Sequence, residues 1–318
     1  MRIPTIGDVY AAKKVIAPYL SRTPLFHSKR LSNLLDCELY LKLENLQPTR
    51  SFKVRGGINY MARMKAEATS HSVITASTGN HAQSVAYAGA LFGVRVIIVM
   101  PHGVPAVKIE SVKDLGADIV TYGAFYDQAR EHAEQLAVEN RYLYVHGINE
   151  PLLHEGVATM HLEIFEEEPR MDVIINPIGG GSGASGACIV FKTLNPNMKV
   201  IGVQAQGAPA FYESWKAGVA TSTPVNTTAE GLATGRAYEL PLKILKALDD
   251  IILVSDHEME TAVKTIFEAT GQVAELSGAA STAAAFKIKH QLKGKRVALL
   301  VTGGNIETQQ LIRILGAK

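Results

Sequence analysis

The chain has 318 residues, with 32 Lys plus Arg against 30 Asp plus Glu, a formal charge of +2. That balance excludes a protein held to nucleic acid by a large basic face. A content of 47% hydrophobic and 19% charged residues excludes a disordered chain.

Short β-branched runs alternate with longer amphipathic segments. In chain order, strands are expected at 38–43, 72–76, 95–100, 118–121, 142–146, 172–176, 199–204, 251–254 and 296–302. Helices are expected at 81–92, 106–115, 125–139, 256–269 and 278–291. This alternation predicts α/β architecture with mostly parallel sheets. Val173-Ile174-Ile175 is apolar without alternation, as in a strand covered on both faces. The apolar runs 96–100 and 297–301 are far shorter than the ~20 residues of a membrane-spanning helix. The N-terminus lacks the apolar core and cleavage site of a signal peptide. Two cysteines, Cys37 and Cys188, cannot build a disulfide framework, so a cytoplasmic protein is expected, with neither membrane nor nucleic-acid partners.

Four stretches carry candidate chemistry. Ser51-Phe52-Lys53-Val54-Arg55-Gly56-Gly57 sets a lysine between apolar neighbours, where burial lowers its pKa and makes it nucleophilic. Read alone it is weak, because such lysines usually reach solvent. Ser77-Thr78-Gly79-Asn80-His81 follows a strand and opens a helix. Its N–H groups suit a carboxylate, but read alone it is an ordinary helix cap. Pro177-Ile178-Gly179-Gly180-Gly181-Ser182-Gly183 joins a strand to an Ala-rich helix. This run of small residues, with bare N–H groups at a helix start, reads as a phosphate site. It is neither a Walker loop nor a first-strand dinucleotide fingerprint. Thr302-Gly303-Gly304-Asn305 places a hydroxyl at the carboxyl edge of a sheet, where α/β ligands bind. No zinc spacing, His-Glu-x-x-His or Gly-x-Ser-x-Gly is present, so no metal site is expected. His154 and His161 read as surface or packed residues.

Together, and in this order, the four motifs resemble the fold-type II pyridoxal-phosphate enzymes, in particular the serine/threonine dehydratase (threonine ammonia-lyase) and serine racemase family. The resemblance covers nearly the whole chain. It implies a two-lobed, three-layer fold like the tryptophan synthase β chain. A large lobe of 1–71 and 150–318 would carry an inserted small α/β lobe at 72–149. It implies pyridoxal 5'-phosphate as cofactor, a small amino-acid substrate and a homo-oligomer, dimer or tetramer. Lys53 would link to the cofactor and act as base at Cα, with Phe52 beside the cofactor ring and Asn80 on its ring oxygen. Gly179, Gly180, Gly181, Ser182 and Gly183 would hold the phosphate. Gly231 and Glu275 fill further cofactor slots, and Thr302 would face the pyridine nitrogen. Ser77, Thr78, Gly79, Asn80 and His81 would hold the substrate carboxylate.

The implied reaction is dehydration and deamination of L-threonine or L-serine to a 2-oxoacid and ammonia, with acid help from the cofactor phosphate. A hydroxyl at Thr302 does not protonate the pyridine nitrogen, which suits rapid β-elimination.

Departures from the family pattern bear on function. Ser182 replaces the fourth glycine of the phosphate loop. Gln204 and Ala210 stand where the racemases carry acidic cation ligands, so that cation site is expected to be missing. Gly156-Val157-Ala158-Thr159, after His154 and Glu155, is expected near the substrate side chain. Thr78 stands where dehydratases usually carry Ala and racemases a hydroxyl. It is expected to cap the helix starting near His81 or bind carboxylate, with racemisation as the rival role. Dehydration of another 3-hydroxy amino acid, and cofactor binding without turnover, are further alternatives. The chain ends soon after Asn305, so no C-terminal regulatory domain is expected.

Overall fold

The computed structural model describes residues 1–316, so the last two positions of the expected large lobe, 317 and 318, lie outside the described residues. Ten strands fall into two sheets. In chain order they are β1 (Leu25–His27), β2 (Glu38–Leu43), β3 (Val73–Ala76), β4 (Val96–Met100), β5 (Asp118–Thr121), β6 (Leu143–Tyr144), β7 (Val173–Pro177), β8 (Lys199–Ala205), β9 (Asp250–Val254) and β10 (Arg296–Val301). The larger sheet has the order β1-β2-β10-β7-β8-β9 and the smaller β5-β4-β3-β6. Only β1 runs antiparallel, pairing Leu25 with Lys42. All other named pairings are parallel. Among the described residues, no helix is long and apolar enough to cross a membrane.

Each sheet is covered on both faces, and strand alternation decides which residues go where. In the larger sheet, Leu39, Leu41, Val173, Ile175, Val297 and Leu299 enter one core with the Asp256–Thr270 and Leu276–Lys287 helices. Ile174, Val200, Ala298 and Leu300 point the other way, into a second core with the Pro151–Glu167 and Ser182–Leu194 helices. The smaller sheet divides likewise, with Val73, Val96 and Ile98 on one face and Ile74, Ile97 and Val99 on the other.

The Lys53–His71 helix precedes the smaller sheet in sequence, yet Val54, Ile58 and Met61 pack into that sheet's core. Two glycines allow the approach. A Cβ on Gly57 would lie 2.4 Å from Ser84 Oγ, and one on Gly56 2.8 Å from Leu153 O. At the head of this helix lies a buried ion network. Arg55 Nε and one terminal nitrogen each donate to Glu44 at 2.8 Å, and its guanidinium reaches Glu163 at 2.7 and 2.9 Å. Lys42 Nζ also donates to Glu163, at 2.6 Å. Two cations and two carboxylates therefore balance, and the network ties β2, the helix start and the Pro151–Glu167 helix together.

Candidate active site

The sheets bring their loops to one cavity of about 900 Å³. Phe52, Lys53, Ser77 through His81, Gly179 through Gly183, Gly231, Glu275 and Thr302 all line it. Three of these segments arrive from the carboxyl ends of parallel strands: β3 leads to Ser77, β7 to the glycine run and β10 to Thr302. Parallel strands open their loops on one edge, which is where open α/β sheets bind ligands.

The glycine run forms a cradle that side chains would fill. A Cβ on Gly179 would lie 1.8 Å from Gly231 O, and one on Gly180 2.8 Å from an Ile148 carbon. Gly181 has φ +91° and caps the Ser182–Leu194 helix, a conformation that favours glycine. Among the described residues, no backbone carbonyl takes the N–H of Gly179, Gly180 or Gly181. The first N–H groups of the helix are likewise free of intrahelical partners. Unpaired donors at a positive helix end suit a phosphate.

Lys53 opens its helix at the end of β10. Phe52 N donates to Thr302 O at 3.1 Å, and a bridge joins Ser51 to Gly303. The Lys53 amine donates to Ser182 Oγ at 3.0 Å, and burial lowers its pKa to about 8. At that value about a tenth of the amine is unprotonated at pH 7, far more than for an ordinary lysine, which favours a nucleophile or base.

Across the cavity, Asn80 Nδ2 donates to Glu275 Oε1 at 2.8 Å, and Asn80 Oδ1 accepts from Asn305 at 2.7 Å. This fixes the amide orientation and leaves one Nδ2 proton unclaimed by Glu275. Burial raises Glu275 to about 7. Thr302 Oγ1 lies 3.5 Å from Ser277 O.

One expectation is corrected here. Thr78 does not cap the following helix: the Asn80–Phe92 helix starts after Gly79, and Ser77 Oγ accepts from the N–H groups of Gly79 and Ala82, both at 3.3 Å. Ser77 is one residue further from the helix, so its hydroxyl can fold back over the turn. Thr78 still lines the cavity.

One other expectation shifts. Gly156 through Thr159 do not line the cavity. Gly156 packs against Arg55, where a Cβ would meet Arg55 O at 2.4 Å, and Thr159 Oγ1 accepts from Arg55 at 3.1 Å. His154 and His161 are packed, not surface, residues. His154 Nε2 pairs with Ile148 O at 2.7 Å and His161 Nε2 with Gly183 O at 2.9 Å, so both brace loops of the cavity from behind. Gln204 is buried, and its Oε1 accepts from Tyr212 N at 3.0 Å. Sequence reasoning did not select Lys108, Tyr126, Arg236 or Tyr238, which also line the cavity. None stands at a strand end or in a glycine motif, so no local signal marks them.

The buried histidines predict acid lability. Burial holds His81 and His161 at about 3 and His154 at about 4. Below about 6.5 the unfolded chain takes up protons that the folded chain refuses, so stability falls with pH until those folded values are reached. Each histidine costs roughly 2–3 kcal/mol by pH 4. Glu275 works in the opposite direction between 4.5 and about 7 and offsets about one of the three. The protein should therefore unfold steeply between about pH 6 and 4, followed by circular dichroism. His154→Phe should move that transition toward lower pH; an unmoved transition contradicts the assignment.

Comparison with known proteins agrees with the geometry. A family model described as pyridoxal-phosphate dependent enzyme matches residues 16–303. An L-threonine ammonia-lyase of Thermotoga maritima is 37% identical, over 98% of this chain and 78% of its own length. Among solved structures, maize serine racemase superposes with a TM-score of 0.93 at 31% identity, covering 98% of this chain and 97% of that one. The processed form of threonine deaminase isoform 2 from Solanum lycopersicum gives 0.92 at 31% identity, covering 98% and 91%.

Proposed function

The chain belongs to the pyridoxal-phosphate-dependent enzyme family, and from that premise we propose that it removes the β-hydroxyl and amine of L-threonine or L-serine, giving a 2-oxoacid and ammonia. Its cofactor is pyridoxal 5'-phosphate. The observation that carries the reading is the meeting, in one cavity, of the buried Lys53 amine, the glycine cradle and the Ser77–His81 turn. The name of the Thermotoga relative supports the reaction type.

When bound, the cofactor supplies electron withdrawal from the substrate Cα. Gly179 through Gly183 would hold its phosphate by N–H donation, Lys53 would hold its aldehyde group, and the free Asn80 proton would be available to its ring oxygen. Phe52 would lie beside its ring, Gly231 and Glu275 would complete its wall, and Thr302 would offer a hydroxyl to its nitrogen. N–H groups of the 77–81 turn bind the substrate carboxylate and so set which Cα bond faces Lys53. The Lys53 amine, buried and beside the glycine cradle, would act as the base toward the α-proton. Residues 72–149 form the small lobe in this reading, with the Lys53–His71 helix packed into its core, and 1–71 with 150–316 form the large one. The free, buried thiols of Cys37 and Cys188 support a cytoplasmic setting, and we extend the proposal to a homo-oligomer.

Thr78 gives the racemase reading a specific basis. Its hydroxyl is not used in capping and the residue lines the cavity, where a second proton donor would be needed to return a proton to Cα. The test measures oxoacid and D-serine in parallel from L-serine, with L-threonine beside it. Oxoacid should dominate, and Thr78→Ala should keep most of it while removing any D-serine. D-serine formed faster than pyruvate, and lost selectively in Thr78→Ala, would establish the racemase instead.

A further inference from the structure

Between β6 and the Pro151–Glu167 helix the chain passes through His146-Gly147-Ile148-Asn149. Gly147 and Ile148 line the cavity. A connecting loop usually leaves its backbone groups to water. Here two imidazoles take them. His146 Nδ1 accepts from the N–H of Ile148 at 3.1 Å and from that of Asn149 at 3.0 Å. His154 Nε2 donates to Ile148 O at 2.7 Å, since a carbonyl can only accept. Side chains therefore hold both backbone groups of Ile148.

The His146 ring is itself fixed. Tyr238 meets it edge-on with centroids 5.5 Å apart, and Tyr144 does so at 6.2 Å. Burial lowers its pKa, so Nδ1 stays an acceptor. Asn149 Oδ1 accepts from Leu240 N at 3.2 Å, which ties the loop to the segment that carries Tyr238.

The residue held in this way bears on the glycine cradle. Ile148 fills the space over Gly180, where a Cβ would lie 2.8 Å from Ile148 Cγ1 and 3.0 Å from its Cδ1. A glycine backbone turns freely unless something packs against it. Among the described residues no backbone carbonyl takes the Gly180 N–H, so main-chain pairing does not fix its direction. The packing of Ile148 does.

We propose that His146 is a positioning residue for the phosphate site: by accepting the N–H groups of Ile148 and Asn149 it holds Ile148 on Gly180 and keeps the donors of the cradle turned into the cavity. The inference rests on the cradle reading above. His154 grips Ile148 from the carbonyl side, so the two imidazoles work as one clamp. An acceptor that takes the N–H groups two and three residues ahead is also what an Asn side chain supplies in a turn. The clamp is therefore separable from the packing of the ring.

The test uses the full chain stripped of cofactor. Dissociation constants for pyridoxal 5'-phosphate and for pyridoxal are measured by visible absorbance, and their ratio reads what the phosphate adds. His146→Phe keeps a ring for Tyr238 and removes the acceptor; the preference for the phosphorylated form should fall about tenfold. His146→Asn restores the acceptor without the ring, and should bring the preference back to within about threefold of wild type. Thermal unfolding shows whether each variant retains the fold. If His146→Phe does not fold, Ile148→Ala takes its place, because it frees Gly180 while leaving both imidazoles; the same fall is expected. A preference within about threefold of wild type in the variant lacking the acceptor or the Ile148 side chain overturns the clamp. A loss in His146→Phe that His146→Asn does not recover overturns it as well, since packing of the ring would then be what matters. A wild type that binds pyridoxal as tightly as its phosphate would instead overturn the cradle reading.

Discussion

Lys53→Ala should lower oxoacid release from L-threonine by at least about 10⁴-fold and abolish the visible absorbance of the covalently held cofactor. The expectation follows from geometry. Among the described residues, Lys53 Nζ is the cavity amine placed beside the glycine cradle, at 3.0 Å from Ser182 Oγ. Lys108, the other lysine of the cavity, is drawn off by ion pairs to Glu230 and Glu307. No second group can both link the cofactor and remove the α-proton. The fold should survive, because the Lys53 side chain faces the cavity and its helix is anchored by main-chain bonds and by Val54, Ile58 and Met61. Thermal unfolding of the cofactor-free variant within about 3 °C of wild type would verify that point. Substantial turnover in the variant would remove Lys53 from the reaction.

Much of this architecture is legible in the sequence because its signals are local. Every strand expected from the β-branched runs is present within a few residues, since a parallel strand covered on both faces reads as a continuous apolar run. The strand that escapes notice, Leu25–His27, is a three-residue antiparallel edge with no alternation to detect. Ser77 to His81, the glycine run and Thr302 sit at strand ends and in glycine turns, so pattern alone could nominate them. Phe52, Gly231 and Glu275 follow from the family resemblance, and all reach one cavity.

Other features depend on contacts far apart in the chain. The Lys53–His71 helix carries Gly56-Gly57 near its start, which argues against a helix by propensity. Packing reverses that, because only glycines fit against Leu153 and Ser84. The Pro151–Glu167 helix carries His154, Glu155, Thr159, His161 and Glu163, all of them buried. An apolar-stripe reading treats such residues as a solvent face, so the helix has no recognisable pattern. Thr78 and Ser77 illustrate the finer limit. Both are good caps by type, and only the turn's geometry decides that Ser77 reaches the N–H groups.

The same helix start carries the second large effect. Arg55→Met should cost roughly 3–5 kcal/mol of stability, read as a shift in urea midpoint. Arg55, Glu44 and Lys42 are wholly buried, and Glu163 nearly so. Removing the guanidinium leaves two carboxylates sharing the single ammonium of Lys42, which donates to Glu163 at 2.6 Å and not to Glu44. Glu44 would retain Thr23 Oγ1 at 2.6 Å and Gln47 Nε2 at 3.3 Å, which satisfies lone pairs without neutralising charge. Arg55→Lys should recover only part of the loss, because an ammonium cannot span both carboxylates as the planar fork does. Glu44→Gln placed on Arg55→Met should recover stability relative to Arg55→Met alone, since it removes the uncompensated charge. If Arg55→Met lost less than about 1 kcal/mol, or Glu44→Gln brought no recovery, charge balance would not be what the network contributes. Because Arg55 lies one helical turn or less from Lys53, kcat in Arg55→Lys reads the same clamp from the catalytic side. A fall in kcat larger than the change in KM is the expected sign that the network also holds the Lys53 amine in place.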